Sequence, residues 1–289
     1  MNHSNTVSPA TPIFSVAGSL LDSSLIRQTN KVNYNIRLVD CNNYIQVYEY
    51  QESKYKNNPN LVAIKTDFEE KKENNKRIEF SKEKKASCDY QIIRKDNAMR
   101  SKLSLERLIK ANDLEFKSFI TLTFADNVTS IDKANEIFNI WRTRIKKILP
   151  NFKYVCVPEY QKRGAVHYHI VSNIKINSLL LPLQKNESSK YDVLYWNSGF
   201  TSAFPIEDIN VVSYMSKYMT KDMDNRLYGR KRYFYSKNLY IPKTQYIDTN
   251  DNRAYEYMNK LLENKKLVYE SSYANSYSLE ITNFKEFGY

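Results

Sequence analysis

The sequence from Lys117 onward predicts an α+β fold of ferredoxin-like type, in which helices cover one face of an antiparallel sheet. Short runs rich in β-branched and aromatic residues alternate with segments whose apolar residues recur at helical spacing. The predicted order is strand, helix, strand, strand, insert, strand, helix. A tight turn separates the second strand from the third, which makes that pair antiparallel.

Four segments have the composition of strands. SFITLTF, residues 118–124, is β-branched and aromatic and is predicted to be a buried strand. The other three strands are predicted at 152–160, 166–174 and 199–206, with an irregular insert at 177–195 before the last one.

Two segments of the same part have the periodicity of helices. Ser130 can cap a helix that ends before Pro150. Its apolar positions are Ala134, Ile137, Phe138, Trp141, Ile145 and Ile148. The second helix is predicted at about 208–223, where Val211, Val212, Met215 and Met219 form an apolar stripe that can pack on the sheet.

The flanking regions differ in composition from this regular part. The first 30 residues are rich in Ser, Thr, Pro and Asn, which favours a mobile arm, and His3 within it is not expected to be a ligand. Alternation within 32–50 predicts two strands, and the lysine- and glutamate-rich segment that follows is expected to be solvated. The predicted parts are the arm 1–30, an extension 31–89, a main domain 90–245 that begins with an amphipathic helix at 90–110, and a C-terminal extension 246–289 without a functional signal.

The net charge nominates nucleic acid as the partner. The 44 basic residues outnumber the 32 acidic ones, which gives a formal charge of +12, and 24 tyrosines add stacking rings. An AT-rich gene would also raise the lysine, asparagine and tyrosine content, so composition alone leaves both explanations open.

The cysteines and the hydropathy pattern indicate the compartment. Cys41, Cys88 and Cys156 are odd in number and show no CxxC spacing, which argues against a disulfide framework or a thiolate zinc site. The sequence lacks a secretory signal pattern near residue 1 and lacks a run of 18 apolar residues. A reducing cytoplasm, with no membrane association, is therefore expected.

A histidine pair in the third predicted strand is the first candidate for chemistry. His167 and His169 are two of only three histidines in the chain. Side chains two positions apart on a strand share a face, so these two imidazoles could share one ion. The alternative is a partly exposed strand whose histidines only satisfy hydrogen bonds.

The preceding turn decides whether a third ligand joins them. If Lys162, Arg163 and Gly164 form a three-residue loop with Gly164 in the left-handed conformation, Glu159 lies directly opposite His167. A two-residue turn would instead send Glu159 to the other face. Two imidazoles and a carboxylate suit manganese, zinc or, more weakly, magnesium, with positions left open for substrate.

The helix predicted at 208–223 repeats the unit Tyr-Met-x-Lys. Tyr214, Lys217, Tyr218 and Lys221 lie at i, i+3, i+4 and i+7 and therefore on one stripe. A tyrosine oxygen is a usable nucleophile when a nearby cation stabilises its anion, and a lysine one turn away supplies such a charge. A lysine-rich amphipathic helix in a tyrosine-rich protein would give the same pattern.

Together, FITLTF, PEYQKRGAVHYHIV and VSYMSKYMTKDM resemble the HUH endonucleases, specifically the two-tyrosine rolling-circle replication initiators of small single-stranded-DNA phages and related plasmids. The resemblance covers about residues 90–245, and it rests on the order of the three motifs. This sequence has Tyr168 where the histidine motif of the family has an aliphatic residue, but on a strand that side chain points away from the ion.

The resemblance implies a fold, a set of ligands and a mechanism. It implies an HUH sheet with His167 and His169 as ligands of a divalent ion, manganese or magnesium with zinc possible, and Glu159 as the third ligand. Tyr214 and Tyr218 would be the paired nucleophiles, with Lys217 between them. The enzyme would nick origin DNA through a 5′-phosphotyrosyl link in the cytoplasm of a bacterial host. Tyr214 is expected to attack first, although the spacing fixes the pair and not the order.

Further basic residues are expected to contact single-stranded DNA. They are Lys162, Arg163, Lys221, Arg230, Lys231 and Arg232. The last three lie in a segment that interleaves charge with rings, although a solvated basic loop would look the same. The sequence lacks a phosphate-binding G-x-x-x-x-G-K-[ST] loop, so a host helicase and a host polymerase are expected as partners. A conjugative relaxase, a single-strand transposase and a non-enzymatic DNA-binding regulator remain alternatives.

Overall fold

The computed structural model describes residues 31–57, 88–182, 191–206, 210–220, 230–274 and 279–288. In chain order the elements are β1 (Lys31–Cys41), β2 (Tyr44–Asn57), α1 (Cys88–Lys110), β3 (Ser118–Thr123), α2 (Ile131–Ile148), β4 (Tyr154–Tyr160), β5 (Val166–Ser172), β6 (Thr201–Pro205), α3 (Val211–Thr220), β7 (Phe234–Tyr235), β8 (Lys243–Ile247), α4 (Asn252–Leu262), β9 (Lys266–Ala274) and β10 (Ile281–Gly288).

These elements form two antiparallel five-stranded sheets. The central sheet has the order β6-β3-β5-β4-β7, and the outer sheet has the order β8-β1-β2-β10-β9. The α+β class predicted from the sequence is confirmed. The predicted mobile arm at 1–30 and most of the predicted solvated segment lie outside the described residues.

The central sheet is buried on both faces. Ile120 and Ile170 pack on the side of α2, whereas Phe119 and Val171 pack on the side of α1 and α3, and all four are at most 3% exposed. The sequence analysis expected the helices on one face, but the structure divides them between two. The reason is that β3 and β5 carry apolar side chains at successive positions, so each face of the sheet needs a cover.

Helix α2 follows its predicted signals. The Ser130 hydroxyl accepts a hydrogen bond from the Lys133 backbone N–H at 3.4 Å. The helix ends at Ile148, two residues before Pro150. The periodic apolar positions that become buried are Ala134, Phe138, Trp141 and Ile145.

The outer sheet joins two parts of the sequence that are far apart. Strand β10 pairs with β2, and β8 pairs with β1. Helix α4 packs its apolar face on one side of this sheet, around Leu38, Val47 and Met258. The two strands expected within 32–50 are confirmed, but their pairing with the C-terminal region was not predicted. The boundaries assigned to the main domain remain a prediction.

Helix α1 lies between the two sheets. Its residues Leu105, Leu108 and Ile109 are buried in the core that includes α3. On the other side, Arg107 donates from Nε to Gln46 Oε1 at 2.8 Å, and Lys110 pairs with Glu286 at 2.6 Å. Because one helix contacts both sheets, the two sheets are held in a fixed relation.

The helices of the described residues are too short or too polar to cross a membrane. Cys41 and Cys156 are buried free thiols.

Candidate active site

The turn between β4 and β5 has the three-residue geometry. The Gln161 N–H donates to the Ala165 carbonyl at 2.8 Å, and the Gly164 N–H donates back to the Gln161 carbonyl at 2.8 Å. Gly164 has φ +93°, in the region that favours glycine. As a result Glu159 is the direct cross-strand partner of His167, and the predicted register is confirmed.

Glu159, His167 and His169 converge on one face of the central sheet. Their potential ligand atoms all lie within 4.8 Å of one another. His169 Nε2 is 2.8 Å from Glu159 Oε2, and His167 Nε2 is 2.7 Å from the Gln161 amide nitrogen. Tyr168, between the two histidines, is fully buried on the opposite face.

Both imidazoles have surroundings that suit a metal ligand. Burial, with a smaller effect from His169, lowers the pKa of His167 from 6.5 to about 4, so this ring is neutral near pH 7. A neutral imidazole is the form that binds metal. His169 is 5% exposed, and its buried Nδ1 has no hydrogen-bond partner in the described part of the chain. The donor set of two imidazoles and one carboxylate could therefore hold a divalent ion.

Helix α3 places both candidate tyrosines against this face. The Tyr218 ring stacks on His169 with centroids 3.6 Å apart and an angle of 12°. Tyr214 meets Tyr218 edge-on at 5.4 Å, and it meets Phe119 in the same way at 4.9 Å. Val211 and Met215 anchor the helix in the core. The i, i+4 pair predicted from the sequence therefore shares one location.

The two phenols differ in their electrostatic surroundings. Burial raises the pKa of Tyr218 well above its ordinary value, followed by its hydrogen bond with Tyr214 and the negative charge of Glu159. A hydrogen bond raises a phenol's pKa when that phenol is the donor, so Tyr218 donates to the oxygen of Tyr214. Lys217 Nζ lies 5.8 Å from the Tyr214 ring centroid. Both contacts favour negative charge on Tyr214 over Tyr218.

The predicted DNA-contacting residues are placed unevenly. Lys162 and Lys231 are exposed, and Arg232 is half-buried. The Arg163 guanidinium donates to the Phe124 carbonyl at 2.6 Å, so it also braces the turn. Lys221 lies outside the described residues.

Arg230 is held by an acidic side chain. Its guanidinium forms two hydrogen bonds with the Asp132 carboxylate, at 2.6 and 2.8 Å. A phosphate would have to compete with this exposed ion pair.

Sequence reasoning missed two residues of the site. Gln161 contacts both His167 and Arg163, and Phe119 packs between His169 and Tyr214. Gln161 lies two positions after Glu159, so the strand period could have placed it on the same side of the hairpin. Phe119 was assigned to a strand, but its face was not predictable because its neighbours are apolar as well.

One comparison with known proteins gave a match. Residues 117–223 match the sequence model of a family described as replication-associated protein ORF2. No curated protein and no solved structure matches the chain. The matched residues include the Glu159, His167 and His169 cluster and both tyrosines, but they are little more than a third of the 289 residues. This match supports a role in DNA replication and is consistent with a replication initiator.

Proposed function

We propose that this protein initiates rolling-circle replication by nicking and rejoining single-stranded origin DNA through a 5′-phosphotyrosyl intermediate. The observation that carries the proposal is the 3.6 Å stack of Tyr218 on His169, since it brings a phenol to a cluster of candidate metal ligands. The match to a replication-associated family supports replication over conjugation or transposition as the setting.

Glu159, His167 and His169 are the residues that would hold the ion. A divalent ion bound there, manganese or magnesium with zinc as a further candidate, would supply Lewis-acid polarisation of the scissile phosphate. Gln161 occupies His167 Nε2 in the absence of an ion and holds that ring in one tautomer. The flexible amide can withdraw when His167 takes up a ligand role.

The nucleophile is the oxygen of a tyrosine on α3. Its attack on phosphorus forms a phosphotyrosyl bond and breaks the bond to the 3′ oxygen, which leaves as a free 3′-hydroxyl. Tyr214 is the first nucleophile in this proposal, because the Tyr218 hydroxyl and the Lys217 ammonium both stabilise its anion. The free 3′ end can then serve as a primer for a host polymerase.

The second tyrosine allows the reaction to continue past one cut. Tyr214 and Tyr218 are neighbours across 5.4 Å, so both can reach the same phosphate position in turn. The phosphotyrosyl bond conserves the energy of the cleaved phosphodiester, so rejoining needs no nucleotide cofactor. Unwinding is assigned to a host helicase in the bacterial cytoplasm.

A covalent-adduct assay tests the proposal. The full chain is incubated with labelled single-stranded DNA from its own origin and manganese, and the products are separated under denaturing conditions. We expect a labelled adduct that survives denaturant and maps to the peptide with Tyr214 and Tyr218. A matched control is Tyr257→Phe on α4, which is 49% exposed and far from the site. Salt-sensitive binding without any adduct would replace the enzyme with a DNA-binding regulator.

A further inference from the structure

The outer sheet has one face rich in aromatic rings, opposite the face that α4 covers. We name it the tyrosine face, and it consists of Tyr34, Arg37, Tyr48, Tyr50, Tyr246, Tyr269, Tyr273 and Phe284. The strand register brings these residues together, since Arg37 pairs directly with Tyr48 on one side and Tyr246 on the other. Ring centroids are 4.7 Å apart for Tyr34 and Tyr246 and 5.9 Å apart for Tyr34 and Tyr50. Adjacent strands thus present a nearly continuous layer of rings.

The cation at the centre of this layer has no carboxylate partner among the described residues. The Arg37 guanidinium lies 4.0 Å from the Tyr48 ring centroid, and its buried Nε has no hydrogen-bond partner within the same residues. Lys56 Nζ lies 3.9 Å from the ring centroid of Tyr246. Arg107 donates only to neutral oxygens, those of Gln46 and Tyr48.

The nearby carboxylates are already engaged by other groups. Glu286 accepts from Lys110 and Gln46, and Glu280 pairs with Lys54. The tyrosine face therefore keeps an excess of positive charge. A half-buried guanidinium surrounded by rings is stabilised by an incoming anion, because the rings alone compensate its desolvation only in part.

The face is open at the end away from α1. Tyr48, next to Arg107 of α1, is 6% exposed, whereas Tyr273 is 50% exposed and Tyr269 is 56% exposed. Tyr34, Tyr50 and Tyr246 are half-buried. Open tyrosine rings beside unpaired cations are the combination that binds unpaired nucleotides, because every base has a face to stack and every nucleotide carries a phosphate.

We propose that the tyrosine face binds single-stranded DNA, with bases stacked on the open rings and phosphates contacted by Arg37 and Lys56. Every residue of the face lies outside 117–223, the range that matches the replication-associated family. The proposal rests on the proposed function only for the choice of DNA as the nucleic acid. Stacking on rings is tolerant of sequence, so this surface holds the strand while the central sheet acts on it.

The test is direct binding of a fluorescent thymidine 20-mer to the full chain, followed by anisotropy in the presence of chelator so that no cleavage occurs. Tyr273→Ser and Lys56→Gln alter the face. Tyr255→Ser and Lys260→Gln are matched controls on α4, because these side chains are exposed on the opposite side of the same sheet.

We expect Tyr273→Ser to raise the Kd roughly fivefold or more, the lower end of the effect of losing one stacked base. Lys56→Gln should weaken binding and reduce the slope of log K against log salt by about 0.7, as for one lost phosphate contact on a single strand. Each control should stay within about twofold of the unaltered chain. Thermal unfolding of all four variants shows whether the fold is kept.

Equal Kd values for the face variants and their controls would overturn the proposal. Weakening by Tyr273→Ser with no change in salt slope for Lys56→Gln would overturn the assignment of phosphate to that lysine. The outcome is separable from nicking: absence of a covalent adduct, with weaker binding by Tyr273→Ser, would refute the proposed function and keep the DNA-binding face.

Discussion

Replacing each of the two tyrosines of α3 with phenylalanine gives different expected results. Phenylalanine keeps the ring, so the stack on His169 and the edge contact with Phe119 should survive. Tyr214→Phe removes the oxygen that attacks first, and the rate of initial nicking should fall by at least roughly a thousandfold. Tyr218→Phe removes only the donor that stabilises the Tyr214 anion.

The size of the second effect follows from that hydrogen bond. A hydrogen bond to a charged partner is worth about 1.5–3 kcal/mol, so initial nicking by Tyr218→Phe should slow by roughly 10- to 150-fold and still go to completion. The second strand transfer should be lost, because the remaining tyrosine is already esterified. Stability should change by only about 1 kcal/mol, the net value of one neutral hydrogen bond.

Single-turnover nicking with peptide mapping of the adduct measures both steps. Tyr257→Phe, whose ring is 49% exposed on α4, should nick at the unaltered rate. Unchanged initial nicking by Tyr214→Phe, together with an adduct mapped to Tyr218, would refute the assigned order. An adduct on a tyrosine outside α3 would refute the site.

Three further predictions follow from the same structure. The double change His167→Ala and His169→Ala should abolish manganese binding and cleavage while DNA affinity in chelator stays within about twofold; Glu159→Ala should weaken metal binding in the same direction. Calorimetry with manganese alone measures this, and full nicking by the double variant in chelator would contradict it. The lowered pKa of His167, about 4 against 6.5, means that the unfolded chain binds more protons between these values, so stability is full above about pH 6.5 and falls as pH drops toward 4. A proton titration of His167 by NMR in metal-free protein should give a midpoint near 4, and a midpoint at 6 or above would be evidence against the buried site. Gly199→Ala should destabilise the chain by about 1–3 kcal/mol, because the added carbon would lie 2.4 Å from backbone atoms at the end of β3; an unchanged midpoint in urea unfolding would show that the loop yields freely.

The hairpin of the candidate site was predictable because its register depends on local information. Gly164 allows a left-handed residue, the loop between Gln161 and Ala165 then has three residues, and Glu159 falls opposite His167. The i, i+4 spacing of Tyr214 and Tyr218 is likewise a local property of one helix.

The rest depends on contacts between distant residues. Apolar residues at successive positions of β3 and β5 indicate burial but not which helix covers which face, so the division of helices between two faces was not predicted. The pairing of β2 with β10 has no local signal, because alternation in YIQVYEY indicates a strand and not its partner. The stacking of Tyr218 on His169 also joins elements that are far apart in sequence.

The outer sheet also has a consequence for the order of folding during synthesis. Gln46 of β2 and its partner Glu286 of β10 are 240 positions apart. At about 5–20 residues per second, the ribosome needs on the order of ten to fifty seconds to make the chain between them. The strands of the central sheet all emerge within that interval, and single domains fold in far less time. The β1–β2 hairpin therefore waits for its neighbour while the central sheet can already form, and the tyrosine face is the last surface to be completed.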